Sequence, residues 1–260
     1  MKILFNRLER HEPWGGGSSF VNAIRRTAIT GVDTISFSTE EYINSDLQVI
    51  ANTSSLHNEF ILHRMGMLPI NVKNVDEFNT DNYKFILKKS NETQNIINVT
   101  TKDIVILNLE TNETEDNELF FPRNSITGDH ILIIKLKPNP NGEGQAIHIE
   151  GKSSKNSGKK HIRYSPVSNV LFTNKKDTEL INIEFSKYVS GLQEEKSIKF
   201  NETEIKELAN VFNIESSEQY FYTDDNNDPN RFDFVIESVG ILEPHRILIL
   251  SMTNISDRLK

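Results

Sequence analysis

The chain has 260 residues, of which 29 are basic and 37 acidic, and its formal net charge of −8 argues against a protein that grips nucleic acid with its whole surface. It contains no cysteine, which excludes disulfides, thiolate zinc sites, iron–sulfur clusters and cysteine nucleophiles. No run reaches the roughly 18 apolar residues of a membrane span, and the amino terminus lacks the apolar stretch of a signal peptide, so we expect a soluble intracellular protein without membrane contact.

The amino-terminal part of the chain predicts a strand, a helix and a second strand. Apolar residues at 3–5 indicate the first strand, and three glycines at 15–17 interrupt regular structure. Ser18 or Ser19 can cap the helix that follows, and residues 34–38 alternate as a strand should. One face of this helix carries the small and apolar residues Phe20, Ala23, Ile24, Thr27, Ala28 and Gly31.

A second helix is predicted after residues 53–55, which supply possible caps, and Gly66 with Pro69 is expected to end it. His63 shares a helical stripe with three apolar residues, so we expect it to pack on the buried face or against a partner. It lies six residues from His57, whereas two histidines that share a metal on one helix are four apart, so no metal site is predicted. The apolar members of the stripe are Leu56, Phe60 and Met67.

The middle of the chain changes character. Short runs of β-type residues separated by polar turns predict a mostly antiparallel sheet there. One helix, at about 202–212, is the expected exception. The predicted strands are 83–87, 96–100, 104–109, 131–136 and 146–149.

The carboxyl-terminal end repeats the pattern of the amino-terminal end. Residues 232–238 alternate as a strand, and Pro244 stands where a helix can begin. That helix carries one apolar stripe, formed by Leu248, Met252, Ile255 and Leu259. We therefore predict an α+β fold, in which a discontinuous domain (1–42 and 228–260) contains an inserted, mostly antiparallel β-rich domain (43–227).

No catalytic motif is apparent. There is no Gly-x-Ser-x-Gly elbow and no Asp-rich magnesium motif, and the paired carboxylates Asp224 and Asp225 lie in an Asn-rich stretch with nothing apolar to shift a pKa. The glycines at 15–17 lack the lysine of a phosphate loop, so a plain turn is favoured over an anion site. The apolar stripes of the two terminal helices favour a dimer seam over ordinary core packing.

A basic stretch at 152–163 is the other feature that could bind a partner. Its side chains could contact phosphates or an acidic protein surface. A mobile, solvated loop explains the same residues equally well, and the two interpretations stay open.

Four segments, taken together, resemble the alpha-like family of multisubunit DNA-directed RNA polymerases, in particular the third-largest eukaryotic subunit and its archaeal D-type counterpart. The most specific is 56–70, Leu-His-Asn-Glu-Phe-Ile-Leu-His-Arg-Met-Gly-Met-Leu-Pro-Ile, which is similar to the family's Glu-Phe-Ile, His-Arg-Leu-Gly, Pro signature. The others are 20–26 (Phe-Val-Asn-Ala-Ile-Arg-Arg), 160–166 (Lys-His-Ile-Arg-Tyr-Ser-Pro) and 234–240 (Phe-Val-Ile-Glu-Ser-Val-Gly). Their order matches the family along nearly the whole chain, whereas 71–145 and 171–227 match only in general character.

The resemblance implies a noncatalytic scaffold. The discontinuous domain would be the dimerisation domain, which pairs with a small alpha-like subunit and then assembles with the second-largest subunit and other polymerase subunits, so that DNA is reached only indirectly. The catalytic magnesium would belong to the largest subunit, and this chain would hold no cofactor. The implied contacts with the small partner are Phe20, Ile24, Ala28, Leu248, Met252, Ile255 and Leu259. The implied contacts with a large subunit are Asn22, Arg25, Arg26, Glu59, His63, Arg64, Lys160, His161 and Arg163.

The chain also departs from the family. Many eukaryotic relatives hold zinc with four cysteines in the inserted domain and some archaeal ones hold iron–sulfur clusters, but a chain without cysteine can do neither, so we expect this domain to be stabilised by packing alone. No second alpha-like repeat follows, so the partner is expected in trans. The Asn-rich composition fits an AT-rich genome, either of a divergent eukaryote, with the chain in the nucleus, or of a large DNA virus, with the chain in the cytoplasm or virion.

One alternative function belongs to a different class. The same fold could serve as a noncatalytic dimeric binding or structural protein outside a polymerase. An enzyme with an unrecognised active site is less favoured, because no catalytic motif is apparent. Stabilisation of the purified chain by a nucleotide or metal would distinguish this case, since a scaffold does not predict it.

Overall fold

A computed structural model describes residues 2–5, 17–40, 44–72, 74–139, 144–196, 199–215 and 217–259. Its α-helices there are α1 (Gly17–Thr30), α2 (Asn58–Gly66), α3 (Asn117–Phe120), α4 (Thr178–Lys196), α5 (Glu202–Glu215) and α6 (Pro244–Leu259). The strands of the amino-terminal half are β1 (Lys2–Phe5), β2 (Asp33–Ser36), β3 (Leu47–Asn52), β4 (Tyr83–Ser90), β5 (Ile97–Thr100), β6 (Ile104–Asn108) and β7 (Glu113–Glu115). The remaining strands are β8 (Leu132–Leu136), β9 (Ala146–Gly151), β10 (Ser154–Ser157), β11 (Val167–Asn174) and β12 (Phe232–Ser238).

The chain divides into two compact units, one formed by Arg26–Ser168 with Glu237–Lys260 and one by Lys2–Arg25 with Asn169–Ile236. This division reflects the contacts within a single chain. The predicted bounds at residues 42 and 228 separate a dimerisation domain from an inserted domain, and that division stays a prediction.

The first unit is built on an antiparallel sheet with the strand order β3-β9-β4-β6-β7. Two short antiparallel pairs, β5 with β8 and β2 with β10, accompany it. Alternation along the strands places one face of the sheet in the core, where Phe85 contacts Phe37 edge to face with ring centroids 5.0 Å apart. Helix α2 covers this core with Ile61, Leu62 and Met65.

The second unit contains most of a three-stranded sheet with the order β1-β12-β11, together with α4 and α5. The two helices are joined by aromatic contacts, since the Phe212 ring lies 5.5 Å from both Phe185 and Tyr188. Phe212 also stacks on Tyr220, with centroids 6.0 Å apart. These contacts fix the helix pair as a small core of its own.

The α+β class with mostly antiparallel sheets is confirmed. The predicted strands from 83 to 149 appear within one to three residues of their expected bounds, and β12 and the start of α6 at Pro244 are as predicted. Helix α4 was not predicted, because its β-branched residues at 181 and 183 resemble a strand over a short window. The stretch 152–163 is not a loop throughout, because it contains β10 and a 3₁₀ turn at Ile162–Tyr164.

Candidate partner interface

Helix α1 carries the first group of predicted contact residues. It begins at Gly17, where an added Cβ would lie 2.5 Å from the Pro229 carbonyl oxygen, so only glycine fits this approach. Phe20 is half exposed and offers apolar surface. Ile24 and Ala28, in contrast, are fully buried within the chain itself, which differs from the partner contact predicted for them.

The polar side of α1 presents its two arginines differently. Arg25 is half-buried, and its Nε donates to Asn22 Oδ1 at 3.1 Å. Asn22 therefore positions Arg25. Arg26 is exposed, and its predicted contact with a large subunit stays a prediction.

Helix α6 has a buried side and an apolar side that stays open. Ile247 and Ser251 are fully buried, and the Ser251 hydroxyl donates to the Ile247 carbonyl oxygen at 2.6 Å, which satisfies a polar group in the core. Asn254 Nδ2 donates to the Gly31 carbonyl oxygen at 2.8 Å, which ties α6 to the residue that follows α1. The predicted stripe lies on a neighbouring side of the helix: Leu248, Met252 and Ile255 are half-buried and Leu259 is 81% exposed.

Helix α2 is entered through a turn that Asn52 organises. Its Nδ2 donates to the Leu56 carbonyl oxygen at 2.8 Å and to Asn58 Oδ1 at 2.7 Å. The predicted caps at residues 53–55 are wrong, because the helix begins only at Asn58 and the N-cap position is His57. The helix ends at Gly66, as predicted.

The residues of α2 that the sequence stripe predicted to be buried lie on its exposed side. Phe60 is 67% exposed and Met67 49%, and His63 is exposed as well, so the buried-face interpretation of His63 is wrong. We call the side formed by Glu59, Phe60, His63, Arg64 and Met67 the α2 face. Part of the Arg64 guanidinium is used within the chain, because its Nη2 donates to the Leu132 carbonyl oxygen at 2.9 Å.

Arg163 is a buried link between the end of α2 and the segment after β2. Its Nη1 donates to the Phe37 carbonyl oxygen at 2.8 Å and to Thr39 Oγ1 at 2.6 Å. Only 8% of the residue is exposed. The guanidinium is thus committed inside the chain, which differs from the direct large-subunit contact predicted from the sequence.

His161 supports Arg163 from the other side. Its Nδ1 accepts from Arg163 Nε at 3.1 Å and from the Arg163 backbone N–H at 3.2 Å, which places the imidazole proton on Nε2. Burial lowers the pKa of His161 below its ordinary value of 6.5, and the charge of Arg163 and the neighbouring His63 act in the same direction while Glu40 opposes them. The neutral imidazole is the form that this arrangement needs.

The basic stretch is largely paired within the chain. Lys152 contacts Asp81 at 3.0 Å and Lys155 contacts Asp76 at 2.7 Å. Gly158 packs against the Ile29 carbonyl oxygen so closely that a Cβ would overlap it, which holds the exposed Lys160 near the negative end of α1. Lys159 and Lys160 remain exposed.

A cleft of about 430 Å³ lies beside the α2 face, and no sequence motif predicts it. Its walls include Glu40 and Phe60, neither of which was predicted as a contact residue. Phe60 belongs to the apolar stripe of α2 in the sequence, but the sequence around it does not show that this stripe faces outward. The cleft is lined by Thr39, Glu40, Glu59, Phe60, Leu62 and His63.

Two other kinds of site are absent from the part of the chain that the structure describes. No group of three or more His, Asp or Glu side chains there is arranged to hold a metal ion. No helix there is long and apolar enough to cross a membrane.

Residues 14–259 match the family described as the RNA polymerase Rpb3/Rpb11 dimerisation domain. A Tetrahymena thermophila protein named "Conjugation stage-specific protein" is 25% identical over 93% of this chain and 86% of its own length. The Dictyostelium discoideum protein "DNA-directed RNA polymerases I and III subunit rpac1" is 33% identical over 59% of this chain. "DNA-directed RNA polymerase subunit Rpo3" of Methanocaldococcus jannaschii is 30% identical over 58% of it.

The matched lengths limit what these relatives show. The chain spans 45% of the Dictyostelium protein and 62% of the Methanocaldococcus protein. Because relatives from a eukaryote and an archaeon both match, the archaeal D-type assignment is not distinguished from the eukaryotic one. These relatives come from cellular organisms and give no support to a viral source.

Proposed function

The chain belongs to the RNA polymerase Rpb3/Rpb11 dimerisation-domain family, and on that basis we propose that it is a noncatalytic assembly subunit of a DNA-directed RNA polymerase. The observation that carries the proposal is the family match over residues 14–259, which includes both terminal helices, α1 and α6. Homologues of the chain are RNA polymerase subunits, which supports the same function.

The first proposed partner is a small alpha-like subunit, which would dock on the stripe of α6. Leu259 is almost fully exposed, and Leu248, Met252 and Ile255 keep part of their apolar surface open. Each large apolar side chain that becomes fully buried contributes roughly 1.5 to 3 kcal/mol. Because three of the four residues are already half-buried, the stripe supplies only part of these values and offsets part of the entropic cost of association.

The second proposed partner is the second-largest polymerase subunit, which would contact the α2 face. Phe60 and Met67 supply apolar contact there, and Glu59 and His63 supply polar groups beside them. Arg26 and Lys160 are exposed elsewhere and suit carboxylates or backbone carbonyl groups of the same subunit.

The chain is proposed to make no bonds in RNA. It would hold no cofactor, the catalytic magnesium would sit in the largest subunit, and DNA would be reached only through other subunits. In a eukaryotic cell, this function places the chain in the nucleus.

The proposal is tested by affinity purification of the tagged chain from its native source, followed by quantitative mass spectrometry. We expect two very large subunits and a small alpha-like chain in equal amounts with the bait. Recovery of the chain alone, or only as a homodimer, would leave the fold standing and remove the polymerase function.

One observation favours a second candidate function. The Tetrahymena relative, which matches 93% of this chain, is named for a stage of conjugation rather than for a polymerase. An alpha-like dimer that acts outside a polymerase is the function this name favours. The same purification separates the two, because such a dimer would be recovered without the two large subunits.

A further inference from the structure

The α2 face combines an open apolar side with a cleft. Phe60, His63 and Met67 follow each other at intervals of three and four residues, so they line one side of the helix. The opposite side already fills the core with Ile61 and Met65, both fully buried. The outward apolar residues are therefore not needed for the packing of this chain.

The cleft beside this side is acidic at its rim. Glu40 and Glu59 are both exposed, and neither has an ion-pair partner among the described residues. Arg64, the nearest basic residue on the helix, donates instead to the Leu132 carbonyl oxygen. Glu40 acts electrostatically on His161, and the Arg163 guanidinium lies at Thr39, but among the described residues neither carboxylate at the mouth of the cleft forms a salt bridge.

Two residues that line the cleft are held by the rest of the chain. Leu62 is buried at its base, and the Thr39 side chain on its wall is held by Arg163 Nη1 at 2.6 Å. Phe60 makes no ring contact within the described part of the chain, so its face is free. An aromatic face beside carboxylates attracts a cation by both its quadrupole and the neighbouring charges.

We propose that this cleft receives an arginine or lysine side chain, carried on an otherwise apolar segment of a partner protein that packs on Phe60 and Met67. The inference rests on the proposed function, in which the α2 face docks on another polymerase subunit, and it adds the chemistry of the docking segment. A phosphate group is repelled by Glu40 and Glu59, so nucleic acid does not fit the same place.

The first test reverses the charge of the rim. The variant Glu40→Lys with Glu59→Lys is compared with Glu202→Lys with Glu207→Lys, which changes the charge equally at exposed positions of α5. Both tagged chains are purified from the native source over a series of salt concentrations. We expect the rim variant to recover about tenfold less large subunit at low salt, whereas the control matches the wild-type chain.

The second test identifies the docking segment directly. A photo-cross-linking residue, p-benzoylphenylalanine, replaces Phe60, and the cross-linked peptide of the purified assembly is sequenced by mass spectrometry. We expect a partner peptide with an arginine or lysine among apolar residues. A peptide without a basic residue, or unchanged recovery with the rim variant, overturns this inference.

The two proposals fail in different ways. If the wild-type chain recovers no polymerase subunits, the proposed function is lost, and the inference is lost with it. If the wild-type chain and the rim variant recover them equally, the polymerase function stands and the inference alone is wrong.

Discussion

Gly66 lies directly against the guanidinium of Arg163, although 97 positions of sequence separate them. A Cβ on Gly66 would overlap Arg163 Nη1 and Thr39 Oγ1 and would lie 3.2 Å from the Phe37 carbonyl oxygen. The missing side chain therefore makes room for the buried arginine. The end of α2, the segment after β2 and the 3₁₀ turn at Ile162–Tyr164 meet at this point.

Gly66→Ala is expected to destabilise the chain. The added methyl group must displace either the Arg163 guanidinium or the backbone of α2, and forced overpacking of this kind costs about 1 to 3 kcal/mol. The free energy of unfolding is measured by urea denaturation. The matched control is Gly191→Ala in α4, where no heavy atom lies within 4 Å of the new Cβ, and it should be neutral or stabilise by up to about 1 kcal/mol. Equal effects of the two substitutions would contradict the steric account.

Arg163→Met removes the donors but keeps most of the apolar stem. The buried Phe37 carbonyl oxygen and the half-buried Thr39 hydroxyl would each lose a partner, so we expect a loss of about 1 to 3 kcal/mol in the free energy of unfolding. Arg123→Met is the control, because Arg123 is exposed and its ion pair with Glu118 lies at the surface. That change should cost less than about 1 kcal/mol. A control as costly as Arg163→Met would show that burial is not the cause.

Local sequence pattern was sufficient for elements that bury one face in a regular way. In β12, Phe232, Phe234 and Ile236 alternate with half-buried residues, and the strand is found where the alternation places it. Pro244 likewise marks the start of α6 correctly, because a proline suits the first turn of a helix.

The local sequence pattern gave wrong predictions where it was compatible with two different structures. Helix α2 has apolar residues on two sides, and only the long-range core contacts of Ile61, Leu62 and Met65 decide which side is buried. The same reason explains Arg163, whose main acceptor, Phe37, is 126 residues away in the sequence. The cleft also depends on such distant contacts, since Glu40 and Glu59 meet only after α2 has packed.

The stability of the chain should depend on the protonation of His161. Its pKa is lower in the folded chain than the ordinary 6.5, mainly because of burial, so the folded state binds this proton less readily than the unfolded state. The contribution is fully present above about pH 6.5 and is lost as the pH falls through the folded pKa. We expect the free energy of unfolding to fall more steeply towards pH 5 in the wild-type chain than in His161→Asn.

The asparagine variant is chosen because its side-chain oxygen can accept from Arg163 as Nδ1 does, yet it does not titrate. Urea denaturation of both chains is measured from pH 5 to pH 8. If the free energy of unfolding changes with pH equally in the two chains, His161 is not the cause of the pH dependence. His57→Asn serves as a second control, since His57 is exposed and is not among the groups that shift the pKa of His161.

The stripe of α6 should hold the small partner. Leu248→Asp with Met252→Asp places two charges on the open apolar side, and we expect the recovery of a small alpha-like subunit to fall at least about tenfold, because part of the 1.5 to 3 kcal/mol for each side chain is lost. Thr253→Asp adds a charge at an exposed position off the stripe and should bind normally.

Circular dichroism checks that each chain is folded. Should the double variant unfold, Leu259→Asp tests the same stripe at a residue that is 81% exposed. Undiminished recovery of the partner by a folded stripe variant would place the dimer seam elsewhere.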